Sequence, residues 1–191
     1  MDLGPVAAHV PRRIDDEPND AGVLVPVVEG DRPRLLFTER ADHLPEHPGQ
    51  MSFPGGGAEP EDADIRATAL READEEIGLA PEEVEVVGQL DDIRTITEYA
   101  VTPFVARIPD REYRPGDDEV ASVVTLSVDD LTDADNYEYE RRTHPHYGEM
   151  LVHYFHVGDH TVWGATGRIV VQFLELATDW RAPERSERDL A

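Results

Sequence analysis

The sequence predicts an α+β domain, a mixed β-sheet with at least two helices packed on it. Three observations carry that expectation. Short apolar runs rich in valine, leucine and phenylalanine recur along the chain, bounded by Gly, Pro and Asp turns. Two longer stretches, 62–77 and 164–178, repeat their apolar residues with helical spacing. With 191 residues, the chain has the size of one domain with a core of its own.

Taken in order, residues 1–20 are polar and proline-containing and read as a loose N-terminal segment. The domain proper is expected over 21–180, with a charged tail over 181–191. GVLVPVV (22–28) and PRLLFTE (33–39) read as strands joined by a turn at Glu29-Gly30-Asp31. A polar loop follows, and QMSF runs into a turn at Pro54-Gly55-Gly56-Gly57. Next come a helix from Asp62 to Ile77, stopped by Gly78, and a strand within 84–92. AVTPFVARI (100–108) alternates as a strand, with Pro103 suggesting an edge or a bulge. EVASVVTLSVDDLTD reads as a strand and a helical turn near Val128–Leu131. Residues 133–148 have the composition of a long functional loop. MLVHYFHV (150–157) and Thr161–Trp163 are strands, and Ile169, Val170, Phe173, Leu174 and Ala177 form the stripe of the last helix.

Composition narrows the function classes. Aspartate and glutamate number 42 against 17 basic residues, all arginine, for a net charge of -25. So acidic a chain repels phosphate backbones, which excludes nucleic acid as a partner. With 39% hydrophobic residues in periodic segments, the charge does not signal disorder. It matches adaptation to molar salt, where screening relieves self-repulsion, and points to a halophilic source. Cysteine is absent, which excludes disulfides and thiol chemistry. No run of 18 apolar residues exists and the N-terminus lacks a basic and an apolar region, so the chain reads as soluble and cytoplasmic.

The helix over 62–77 breaks a local rule. Glu72, Asp74, Glu75 and Glu76 crowd its C-terminal turns, where the macrodipole favours cations, and Glu72 and Glu76 repel at i,i+4. At 100° per residue, Glu76 lies about 40° from Glu72 and Glu75 about 300°, so all three share one arc. Ala69, Leu70, Ala73 and Ile77 centre on the adjoining arc, which faces the core. Carboxylates converging beside a buried stripe suit Mg²⁺ or Mn²⁺, hard cations that also bridge phosphates. A solvated acidic face is the competing reading. The glycine turn upstream and Arg71, adjacent to the acids, favour the site.

Arg71-Glu72-Ala73-Asp74-Glu75-Glu76-Ile77-Gly78-Leu79 resembles the REUxEExGU half of the Nudix box, U being aliphatic. Gly56, five residues and Asp62 resemble its first half. Eight residues rather than seven then precede Arg71, and Asp62 stands where glutamate is usual. The resemblance implies an α/β/α sandwich and hydrolysis of a nucleoside diphosphate linked to another moiety, with Glu72, Glu75 and Glu76 as metal ligands. Upstream, Leu35, Leu36, Thr38, Arg40, Gly49, Phe53, Pro54, Gly55 and Gly56 fit LLxTxR…GxxxFPGG, similar to the coenzyme A pyrophosphatase branch. That branch commonly carries a second arginine in the loop, where this chain has Pro45. The resemblance, with WGATGRIVVQFLEL near the C-terminus, implies coenzyme A or a derivative as substrate. ADP-ribose, NADH or a nucleoside triphosphate, or a silent ligand-sensing domain, are the alternatives.

It also implies roles. Arg40 is the candidate contact to a substrate phosphate, since guanidinium matches phosphate bidentately; Gly55 and Gly56 offer bare backbone beside it. Arg71 holds a carboxylate in place. Glu75 is the first choice of general base within the box, and Glu119, where a loop enters a strand, is the candidate outside it. His144, His146, His153, His156 and His160 follow no zinc spacing and are not promoted to ligands. Tyr137, Tyr139 and Tyr147 are read as anchors of the 133–148 loop, Trp163 as core packing, and Thr166 as a cap of the last helix.

Overall fold

The computed structural model describes residues 1–44, 48–144 and 148–182. Pro45, His146, Tyr147 and the tail beyond Ala182 lie outside the described residues.

An eight-stranded mixed sheet organises the chain. Its strands are β1 (Asn19–Val28), β2 (Arg34–Arg40), β3 (Met51–Ser52), β4 (Gly55–Gly57), β5 (Glu85–Gln89), β6 (Ile93–Arg94), β7 (Tyr99–Ile108) and β8 (Val120–Ser127). The order is β3-β2-β1-β7-β5, with β4 on β1, β6 on β7 and β8 on β2. β1 and β7 run parallel over their whole length, from Asn19 opposite Tyr99 to Val28 opposite Ile108. The other pairs in this sheet are antiparallel. A second sheet has the order β11-β10-β9, from β9 (Tyr137–His144), β10 (Gly148–Val157) and β11 (His160–Trp163).

Both faces of the large sheet are covered, so its central strand reads as a continuous apolar run rather than an alternating one. Successive side chains of β1 go to opposite sides. Leu24 and Val28, with Leu36 and Phe104, pack on Ala69, Ala73 and Ile77 of helix α2 (Ile65–Ile77), introduced here after the short N-terminal α1 (Gly4–Ala8). Val25 and Val27, with Leu35, Phe37 and Val105, meet Phe155 of β10 and Ile169, Val170 and Phe173 on the other side. The last three belong to helix α4 (Gly164–Ala177), which follows the short α3 (Val128–Thr132). The expected sandwich of helices about a mixed sheet is the observed architecture.

Four local expectations are corrected. Residues 1–20 are not loose: Leu3 and Val6 are buried in the core, and Arg12, Arg13 and Ile14 are tied to Asp91 and Asp92. Two apolar side chains and a pair of acids suffice to hold a segment whose composition is polar. Pro54-Gly55-Gly56-Gly57 is not a free turn, because Gly55–Gly57 pair with Val23–Ala21 as a strand. Within the expected 133–148 loop, Tyr137–His144 form a strand paired with β10. Pro103 lies in an interior strand flanked by β1 and β5; its carbonyl accepts the Leu90 N–H at 3.0 Å, and its missing N–H falls where β5 ends.

Candidate active site

The acidic helix starts later than its pattern suggests, and the delay builds the site. Asp64 caps α2, its carboxylate accepting the Ala67 N–H at 2.8 Å. Gly78 ends the helix in the left-handed region, φ 62°, as its position predicts. Asp62 therefore stands outside the helix. Its carboxylate accepts from the Glu59 N–H, the Thr68 hydroxyl, and Arg71 Nε and Nη2. Left outside the helix, Asp62 thus clamps the arginine with both carboxylate oxygens. The Arg71 hydrogen bond, with the Glu59 N–H, holds Asp62 down to about 2. The Asp62 carboxylate in turn raises Arg71 further above its ordinary value.

So fixed, Arg71 reaches three further groups. Nη1 donates to Glu72 Oε1 at 2.9 Å and Glu75 Oε2 at 3.0 Å, and Nη2 to the Gly57 carbonyl at 3.2 Å. One guanidinium therefore ties the helix to the glycine strand. Contact between them is close because side chains are missing there. A Cβ on Gly22 would stand 2.3 Å from the Ile65 carbonyl oxygen, so α2 rests directly on β1. A Cβ on Gly56 would stand 2.4 Å from Glu72 Oε1, so the carboxylate occupies the space a side chain would fill.

The three box glutamates differ in environment. Glu75 is more than half exposed. Glu72 is largely covered; burial raises its pKa and Arg71 offsets part of the rise. Glu76 is the most buried of the three and is pushed up to about 8 by burial, then by the charges of Glu72 and Asp117, while a hydrogen bond from the Gly55 N–H works the other way. Its Oε2 is buried, and no described residue supplies it with a hydrogen bond.

Loop 109–119 closes the far side. The Gly116 N–H donates to the Glu76 carbonyl at 2.8 Å, which satisfies a helix-end acceptor. A Cβ on Gly116 would meet the Glu75 carbonyl oxygen at 2.2 Å. Asp117 and Glu119 follow, and both add negative potential at Glu76. Glu119 is exposed just before β8; its carbonyl accepts the Ala41 N–H at 2.8 Å. Arg40, opposite Val120, is half-buried, its backbone bonded to Gln50 and Gly49. Asp117 and Gly116 were not singled out from sequence; in so acidic a chain a Pro-Gly-Asp-Asp turn carries no distinguishing signal.

This donor set fits a hard dication. Glu72, Glu75 and Glu76 present oxygen ligands only, and a cation would neutralise the Glu72–Glu76 repulsion and supply the orphaned Oε2 with a partner. Among the described residues no three acids or imidazoles stand close enough to form a ready-made cage, because Arg71 holds Glu72 and Glu75 to itself.

Among the described residues the histidines do not gather. His153 is buried with Nδ1 2.7 Å from the Tyr137 hydroxyl, and His156 sits between Glu138 and Thr161. Tyr137 packs on Phe155 and Trp180, so it anchors a strand rather than a loop. Trp163 is only part-buried and stacks on Tyr154. Thr166 is buried within α4, which begins at Gly164 and takes no side-chain cap.

Comparison with known proteins gives the family. The NUDIX domain family matches residues 18–147. A relative named as an uncharacterized Nudix hydrolase, NudL, of Enterobacter sp. (strain 638) is 40% identical over 156 residues, covering 78% of each chain. The NudL of Photorhabdus laumondii is 35% identical over 169 residues, covering 86% of this chain and 88% of its own. Among solved structures, a MutT/nudix family protein from Enterococcus faecalis aligns at TM-score 0.55 and 15% identity, over 87% of this chain and 64% of that one. The C. elegans Ap4A hydrolase aligns at TM-score 0.50 and 18% identity, over 58% and 81%. These structures share the fold. The chain belongs to the Nudix family and is a Nudix hydrolase, a class that generally uses divalent metal ions. No described helix is long and apolar enough to cross a membrane.

Proposed function

We propose that the chain hydrolyses the internal pyrophosphate of coenzyme A or a derivative, giving 3′,5′-ADP and 4′-phosphopantetheine or its acyl form, with Mg²⁺ or Mn²⁺. One observation carries this reading. The LLxTxR…GxxxFPGG stretch converges on the box: Gly55 and Gly56 lie against Glu76 and Glu72, and Arg40 ends β2 beside the strand that Glu119 enters.

Glu72, Glu75 and Glu76 would hold the cation, which when bound neutralises diphosphate charge and acidifies a coordinated water. The protein's own groups do the rest. Arg71 orients Glu72 and Glu75, and the Gly55 N–H orients Glu76. Arg40 contacts a phosphate of the substrate. Glu75, exposed toward solvent on one side and fixed by Arg71 on the other, accepts the proton of the attacking water. The water oxygen bonds one phosphorus in line as the bridging P–O bond breaks, and the other phosphate departs with the electron pair. Glu119, whose charge reaches Glu76, is the alternative base.

A panel of coenzyme A, ADP-ribose, NADH and nucleoside triphosphates with Mg²⁺ or Mn²⁺ at high salt tests the substrate. Coenzyme A should give the highest kcat/KM. Faster cleavage of another member overturns the assignment, and binding without cleavage of any member establishes a ligand sensor. Alanine at Glu75 or Glu76 should abolish turnover with the circular dichroism spectrum unchanged; retained activity at equal metal removes these residues from the mechanism.

A further inference from the structure

On the α4 side of the large sheet lies a cavity of about 370 Å³. Its walls are the turn after β6, the middle of β10, and the junction of β11 with α4. Ile96, Met150, Val152 and Trp163 supply apolar surface, the indole lying parallel to Tyr154 at 6.0 Å between ring centroids. Ile96 is 60% exposed on the turn, an apolar side chain without a cover.

Charge sets this cavity apart. Acids outnumber basic residues 42 to 17 in the chain, yet no aspartate or glutamate is among the described residues that line it, and three arginines are: Arg94, Arg142 and Arg168. Their guanidiniums are held in place. Arg94 is braced by Asp16 and Glu17, Arg142 by Glu140 and the Tyr154 hydroxyl, and Arg168 donates to the Arg94 carbonyl at 3.3 Å. Braced arginines over an apolar, aromatic wall make a pre-organised receptor for a planar body carrying an anionic group.

The cavity adjoins the box through named contacts. Arg71 bonds the Gly57 carbonyl, and the ring of Tyr99 lies against Gly57. The Tyr99 carbonyl accepts the Thr95 N–H and the Tyr99 N–H donates to the Thr95 hydroxyl, and Thr95 lines the cavity. From the other side, Gln50 lines it while its carbonyl accepts the Arg40 N–H.

We propose that this cavity binds the nucleoside of the substrate through a phosphomonoester distinct from the two phosphates that are cleaved, with Arg168 and Arg142 as specificity residues. The proposal rests on reading the box as a pyrophosphatase centre. It assigns the cavity to the ribose-phosphate end of the ligand, and the uncharged arm lies elsewhere.

The test uses fluorescence, because the chain has two tryptophans and only one lines the cavity. Trp180→Phe silences the other, which packs on Tyr137 and Phe155. In this metal-free variant, 3′,5′-ADP should shift Trp163 emission with an affinity about tenfold tighter than 5′-AMP, the worth of one charged hydrogen-bonded phosphate. Arg168→Gln should erase that difference. Arg142→Gln, at an exposed position, should reduce it severalfold with the circular dichroism spectrum unchanged. Equal affinity for the two nucleotides, a response to pantetheine instead, or a preference that survives both arginine variants overturns the proposal. Coenzyme A turnover without a Trp163 response would sink the cavity alone. A Trp163 response with no pyrophosphate cleavage would sink the catalytic reading alone.

Discussion

A single guanidinium spans the site, since Arg71 touches Asp62, Glu72, Glu75 and the Gly57 carbonyl. The geometry of the acids therefore depends on what lies between helix and glycine strand. Gly56→Ala would place a methyl 2.4 Å from Glu72 Oε1 and 2.6 Å from its carboxyl carbon. A side-chain end can swing away, so the fold should hold while Glu72 moves by about 1 Å. The expected loss in kcat/KM is about a hundredfold at fixed metal, with the melting temperature little changed. A fall in both together would instead mean that Gly56 serves packing. Glu76 gives a pH signature. Its pKa is 4.5 when unfolded and about 8 in the fold, so between these values the native state binds more protons. Stability from this group is full below about pH 4.5 and is lost as pH rises through about 8. Calorimetry in chelator should show the melting temperature falling over this window, and Glu76→Gln should flatten that leg. Added Mg²⁺ should reverse the fall, because it binds the ionised form.

At the scale of elements, the N-terminal segment behaves as a strap. Leu3 is 4% exposed and Val6 fully buried, in contact with the cluster around α4. Leu3→Ala should cost about 2–3 kcal/mol in a denaturant titration; a change near zero would restore the expectation of a loose segment. That expectation failed because Leu3 and Val6, the two buried side chains of the segment, give no periodicity, while their partners are far along the chain. The same cause explains the other local misses. Gly55–Gly57 have no strand propensity, and they pair only because β1 presents Ala21 and Gly22 opposite them. Tyr137–His144 look like a loop by composition, yet β10 supplies the hydrogen bonds that make them a strand. By contrast, α2 was legible because its stripe, its acids and Gly78 are all local signals. Helical spacing alone puts its carboxylates on one arc. The clamp of Asp62 on Arg71 was not legible, since it depends on where the helix starts rather than on spacing.

Across the whole molecule, the net charge of -25 opposes compaction in dilute buffer. Much of the arginine is already committed, to Asp91, Asp110, Glu85 and the box, which leaves acids in excess on the surface. We expect the melting temperature to rise by about 5–10 °C between 0.1 M and 2 M NaCl, as the screening length falls to about 3 Å or less. A flat or falling trend would show that charge repulsion does not limit stability, and would remove the case for a halophilic source.

The large sheet separates two packings, one under α2 and one under α4, and the residues of β1 alternate between them. Substitutions in one layer reach the other only through the backbone of the strands. If the cavity on the α4 side takes the ligand body as proposed, that layer can be refitted while the layer carrying the acids stays as it is. A lineage built this way can change what it eats without relearning how to bite.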